Sequence, residues 1–151
     1  MPYTAGINEN LIDALKTWFD ENLPGGKAKP SNGALCLGSV AYGSYVDTLL
    51  DYCLPSLMAE GNLPALHGAW LIIYTDDAGE KKIKDSDIIK KLEDRGIIVS
   101  FSIFPENLLS LVMEESSNKY WLIGASHNIQ LKQSAIYGYG FHLLMPDHVY
   151  S

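Results

Sequence analysis

The 151-residue sequence predicts an α/β fold: a three-layer, mostly parallel sheet of about four strands, with helices on both faces. Three observations carry this expectation. The short runs Ala34–Gly38, Trp70–Tyr74 and Phe141–Met145 are apolar almost throughout, as strands covered on both faces of a parallel sheet are. Between them lie segments whose apolar residues recur at helical spacing. Polar loops follow the runs directly, at the carboxyl ends where open α/β sheets hold their ligands.

The totals set bounds on function. A chain of this length is expected to form one domain and to bury roughly 68–70% of its unfolded surface, with no metal or disulfide needed to hold it. Lys plus Arg number 11 against 18 for Asp plus Glu, a net charge of −7 that repels phosphate backbones and argues against nucleic acid as a partner. Cys36 and Cys53 stand among apolar neighbours, where free cysteine acts as a small hydrophobe. The start, Met1 to Gly6, lacks the basic and apolar regions of a secretory signal, and no apolar run approaches the ~20 residues of a spanning helix. A cytoplasmic chain without a membrane span is expected.

The elements follow in order. Asn8 or Asn10 caps a first helix carrying Leu11, Leu15 and Trp18 on one stripe, widened by Ile12 and Phe19. Pro24–Gly26 ends it, and Lys27–Gly33 reads as a linker, so residues 1–33 are expected as an N-terminal appended helix and residues 34–151 as the domain. Ala34–Gly38 is the first strand and Ser39–Ser44 its loop. Val46, Leu49, Leu50, Cys53 and Leu57 mark the next helix, with Gly61 as a left-handed stop and a kink or early end at Pro55. Trp70–Tyr74 is the second strand and Thr75–Gly79 its loop. Asp85 caps a helix with Ile88, Ile89 and Leu92 inward and Gly96 closing it. Ile97–Ile103 alternates as an edge strand does. Pro105 suits the first turn of a helix to about Glu115. Ser116, Ser117 or Asn118 starts another, to about Tyr137, which leads to the last strand, expected to be buried.

Strands alternating with helices imply right-handed crossovers and a Rossmann-like sheet. In the order 3-2-1-4 the reversal falls between the first and fourth strands. Ser39–Ser44, Thr75–Asp77 and Asp147–Ser151 then line the crevice.

Several residues there have chemistry to offer. Gly38–Gly43 has phosphate-loop glycine spacing but no following Lys-Ser/Thr, and no G-x-G-x-x-G follows the first strand, which disfavours ordinary ATPase and dinucleotide sites. The loop still offers Ser39, Tyr42 and Ser44, with Tyr42 able to stack on a base, although Gly43-Ser44 also serves simply as a helix start. Asp76 and Asp77 follow a strand, where a carboxylate can accept from ribose hydroxyls, but aspartate also suits turns. Asp147 can supply hard oxygen to a divalent metal. His148 is a second metal ligand or a surface histidine. His127 shares a helical stripe with Ile123, Leu131 and Ser134, as support for the site or as a satisfied core histidine. His67 and His142 show no partner.

The hydroxyl-rich loop after a buried first strand, a second strand ending Tyr74-Thr75-Asp76-Asp77, the long helix and a last strand ending at Asp147 resemble the nucleotide-sugar-binding half of GT-A glycosyltransferases. The resemblance spans about Ala34–Ser151. It implies that Tyr42 and Asp76 or Asp77 bind base and ribose, and that Asp147 and His148 hold Mn or Mg, Val149 standing where the family's Asp-x-Asp motif has its second acid. It further implies that the acceptor half and catalytic base lie beyond Ser151, leaving this chain incomplete for catalysis alone. A non-enzymatic Rossmann-like module that binds a nucleotide or protein is the alternative. A hydrolase built on Asp147 and His127 lacks a nucleophile motif. A homodimer, or a complex with a partner chain, is expected through the last strand and the helix before it.

Overall fold

Apolar runs too short for a helix and flanked by polar turns can hide both faces only inside a covered sheet. In the computed structural model, which describes residues 8–22, 35–62 and 67–150, that is where they lie. Strands β1 (Leu35–Val40), β2 (Trp70–Thr75), β3 (Ile98–Ile103) and β4 (Gly140–Leu144) form one sheet in the order β3-β2-β1-β4, every pairing parallel. Both β1 and β2 are central and almost wholly buried. Pro24–Gly26, the linker Lys27–Gly33, Ala34 and Ser151 lie outside the described residues.

Period-two alternation along the strands divides the core between the two faces of the sheet. On one face Leu37, Leu71 and Ile73 meet α2 (residues 45–57), α3 (Asp77–Lys84) and α4 (Asp87–Asp94). On the other, Cys36, Val40, Ile72 and Tyr74 meet α1 (Glu9–Asn22), α5 (Glu106–Met113) and α6 (Asn118–Ile136). Burial pushes both cysteine thiols up to about 12, as their structural reading requires. Asn8 caps α1, its Oδ1 accepting from Asn10 N at 2.9 Å. Leu11 and Trp18 are buried, the Trp18 ring standing 5.4 Å from Phe104 and 5.8 Å from Tyr74. The first helix thus helps close the second core.

Helix α2 is continuous but changes pitch. It runs α-helical over Tyr45–Thr48, widens into a π turn over Leu49–Cys53 and resumes over Leu54–Leu57. Leu54 N–H reaches Leu49 O, five residues back. The wide turn falls just before Pro55, whose ring has no N–H to give and would crowd the preceding turn of a regular helix. The expected kink is therefore absorbed as a π turn.

Other expectations shift in register. Asp76–Gly79 is not a loop: Asp76 caps α3 and Asp77 opens it. Asp85 ends α3 and does not start α4, which begins after Ser86. Pro105 precedes α5 by one position. The buried side of α6 is carried by Leu122, Ser126, Ile129, Gln130, Gln133 and Ser134, so Leu131 is turned outward. The last strand takes the edge position that the order 3-2-1-4 gives it, beside β1, and with Gly140, His142 and Leu143 exposed it is less buried than its apolar run suggests. Gly96, at φ +87°, closes α4 as expected.

Candidate functional site

The reversal of strand order between β1 and β4 leaves a gap at their carboxyl ends, since the chain leaves each strand toward a different side. A cavity of about 240 Å³ opens there, lined by Val40, Tyr42, Tyr45, Lys119, Tyr120, Ile123, His127, Met145, Pro146 and Asp147. Three segments build it. The β1 loop brings Tyr42, half-buried, its ring 5.9 Å from Phe104 and 6.3 Å from Tyr45. Burial, with Tyr45 adding to it, holds the Tyr42 phenol above its ordinary range. Helix α6 brings Lys119, Ile123 and His127, one turn apart, to its rim-facing side. The β4 end brings Met145, Pro146 and Asp147, bent into a tight turn that His148 N closes onto Met145 O at 3.0 Å.

His127 is half-buried, and burial lowers its pKa while its bond to Gln130 opposes that. Its Nδ1 lies 2.8 Å from Gln130 Oε1. Gln130 is fully buried, and its Nε2 donates to Ser39 O at 2.9 Å and to Ile72 O at 3.4 Å. A second buried amide, Gln133, accepts from the Tyr74 hydroxyl at 3.1 Å. The two buried amides thus tie α6 to the sheet, while the Ser126 and Ser134 hydroxyls donate back to Leu122 O and Leu131 O of the helix itself.

The predicted residues divide accordingly. Tyr42, His127 and Asp147 come together around this cavity. Ser44 lines a neighbouring cavity of about 430 Å³ with Tyr42, Tyr45, Val112, Met113 and Lys119. Asp76 lines a third, of about 220 Å³, that shares Gly43 with the second and includes Lys82. Asp76 is also committed to its helix, its Oδ1 accepting from Gly79 N at 2.7 Å. Asp77 is exposed in the first turn of α3. Ser39 falls inside β1 and is fully buried, because the strand runs two residues further than expected and the loop begins at Ala41. Asp147 and His148 are both exposed, with His148 Nε2 3.8 Å from Asp147 Oδ1. Among the described residues no three of His, Cys, Asp or Glu are grouped to hold a metal.

Sequence reasoning missed Tyr45, Lys119, Tyr120 and Gln130. Lys119 had a signal, since it precedes Ile123 and His127 at the same four-residue step. Gln130 and Gln133 had one as well, as amides among the apolar and small residues that face the sheet. Comparison with known proteins adds no relative, since no protein-family model, no curated protein and no solved structure matches the chain.

Proposed function

We propose that the crevice between the β1 and β4 ends binds a nucleoside diphosphate sugar, making the chain a glycosyltransferase-like nucleotide-sugar-binding domain. The observation that carries this reading is the cavity itself, at the point where strand order reverses, with aromatic, cationic and carboxylate groups converging on it. Tyr42, Ile123 and Pro146 offer flat apolar surface to a base. Lys119 offers a cation to a diphosphate in a protein whose net charge is −7. The neighbouring cavity shares Tyr42, Tyr45 and Lys119 and gives the sugar room to extend.

A divalent metal fits this site only in company. Asp147 and His148 supply two donors, too few for an all-protein cage, but Mg-type ions bound beside phosphates commonly use one or two protein ligands and take the rest from phosphate and water. Such a metal would neutralise diphosphate charge there. Metal affinity is then expected to appear with the nucleotide and to be weak without it.

The test is thermal unfolding with UDP and Mn, together and apart. Ligand at 100 times its Kd adds about 2.7 kcal/mol of stability if it binds the native state alone. A clear rise in melting temperature with both together supports the reading, and no shift with any nucleoside diphosphate at millimolar concentration overturns it. Binding without transfer or hydrolysis of a UDP-sugar would mark the non-enzymatic module instead.

A further inference from the structure

We propose that Gln130 holds His127 as its Nδ1–H tautomer, leaving the Nε2 lone pair as the acceptor that the crevice offers to an N–H donor on the base of its ligand. The choice of base rests on the nucleotide reading above; the tautomer does not.

The argument starts from atoms that can only accept. Ser39 O and Ile72 O are backbone carbonyls, so the Gln130 terminal atom that lies 2.9 Å and 3.4 Å from them must be the NH2 group. Turning the amide over would set oxygen against oxygen in a fully buried place, and an unpaired buried polar group is costly. The atom left facing His127 is therefore Oε1, which can only accept. Nδ1, at 2.8 Å, must carry the hydrogen. A neutral imidazole has a single N–H, so its Nε2 is an acceptor.

The position of Gln130 is itself fixed. Gly38 lies beneath it, where a Cβ would come within 2.5 Å of Oε1, so the amide occupies room that β1 leaves by having no side chain there. His127 in turn lines the cavity at the sheet's reversal point. The other groups facing that cavity are the Lys119 ammonium, the Asp147 carboxylate and the phenols of Tyr42, Tyr45 and Tyr120. Burial disfavours the imidazolium, in keeping with a neutral ring.

A neutral acceptor selects among bases. Uracil and guanine carry a ring N–H on the edge used in base pairing, whereas cytosine and unprotonated adenine present a lone pair at the corresponding ring nitrogen and donate there only from the exocyclic amino group, so the selection acts on a base that meets Nε2 with its ring nitrogen. Two lone pairs facing each other leave both unpaired, and sites built around one hydrogen bond reject analogues that cannot make it.

Two measurements on the full chain decide this. Nitrogen-15 correlation spectra of the histidine rings in the ligand-free protein at pH 7.5 are expected to show His127 protonated at Nδ1, with Nε2 bare. Gln130→Met is expected to release that preference, while the wild-type spectrum answers the question should the variant not fold. UDP is expected to bind at least about tenfold more tightly than CDP, both measured with Mn, the scale of one lost hydrogen bond. An Nε2–H tautomer overturns the assignment. The expected tautomer with equal affinity for UDP and CDP overturns the base selection and leaves the nucleotide site standing. Binding of neither nucleotide overturns the nucleotide reading and the base selection together, with the tautomer decided by its own spectrum.

Discussion

Gln130 fills the space above Gly38: a Cβ on that glycine would lie 2.5 Å from Gln130 Oε1 and 2.6 Å from the Phe141 ring. The contact joins β1, β4 and α6 just below the crevice. Gln130 is fixed to Ser39 O and Ile72 O, and Phe141, partly buried, packs against the core beside it, so room can be made only by disturbing that packing. Gly38→Ala is therefore expected to cost about 1–3 kcal/mol, the usual range for overpacking. Denaturant unfolding checks it; a loss below ~0.5 kcal/mol would mean that α6 lifts freely from the sheet.

How much of this was legible follows from which forces act locally. Strand positions were readable because Ala34–Gly38 and Trp70–Tyr74 are apolar runs, which the parallel core demands, and the order 3-2-1-4 was supposed from the Rossmann-like alternation of strands and helices. Helix α3 was not, because Asp77–Lys84 has Ile83 as its one large apolar residue and so shows no period. Its signals were chemical instead: Asp76 at the cap and lysines in the last turn. In the crevice, Tyr42 and Asp147 could be placed from the strands they follow. Lys119 shares the four-residue step of Ile123 and His127, whereas Tyr120 reaches the crevice only through the packing angle of α6, which no local pattern encodes. The outward turn of Leu131 has the same origin.

Asp76 separates structure from ligand binding. Its side chain accepts from Gly79 N at 2.7 Å, a bond whose loss by Asp76→Ala is expected to cost about 1 kcal/mol. Asp76→Asn keeps a good cap and is expected to remain near wild-type stability. Should Asp76→Asn still weaken UDP binding several-fold by calorimetry, the carboxylate has a second role at the ribose.

Asp147 is exposed, its carboxylate 3.8 Å from the His148 ring, so Asp147→Asn removes charge without disturbing the core. The ligand-free melting temperature is expected to stay within about a degree, as surface changes usually move stability by less than ~0.5 kcal/mol. The additional stabilisation by UDP when Mn is present is expected to vanish. Unfolding of the variant would instead make Asp147 a structural acceptor.

His127 gives stability a defined pH dependence. Its folded pKa lies below the ordinary 6.5, chiefly through burial. Between 6.5 and that lower value the unfolded chain takes up a proton that the folded chain refuses. The contribution is therefore intact above 6.5 and is lost as the pH falls through the folded value. In His127→Gln this part of the acid slope should disappear. Parallel stability curves for the two proteins between pH 7.5 and 5 would show that the ring is wetter than its surroundings imply.

The outer edge of β4 is guarded at its carboxyl end. The Tyr150 hydroxyl accepts from Met145 N at 3.1 Å and is 3.4 Å from Leu143 O, taking up backbone groups that a further strand would use. Tyr150 is itself held, its N donating to Ser56 Oγ at 2.9 Å on α2. Toward the amino end of β4, Gly140 and His142 are exposed, and on the adjoining α6 Leu131 and Ile136 are 48% and 54% exposed. Unpaired strand edges invite pairing, and a stable interface needs roughly 800 Å² per partner. A second copy meeting β4 and α6 is expected to give weak, concentration-dependent dimerisation. Tyr150→Phe removes the hydroxyl and frees Leu143 O and Met145 N, so it should strengthen the dimer severalfold. Sedimentation equilibrium from low to high micromolar concentration reads both. A wild type and variant that remain monomeric throughout would show that this edge does not bind its own copy.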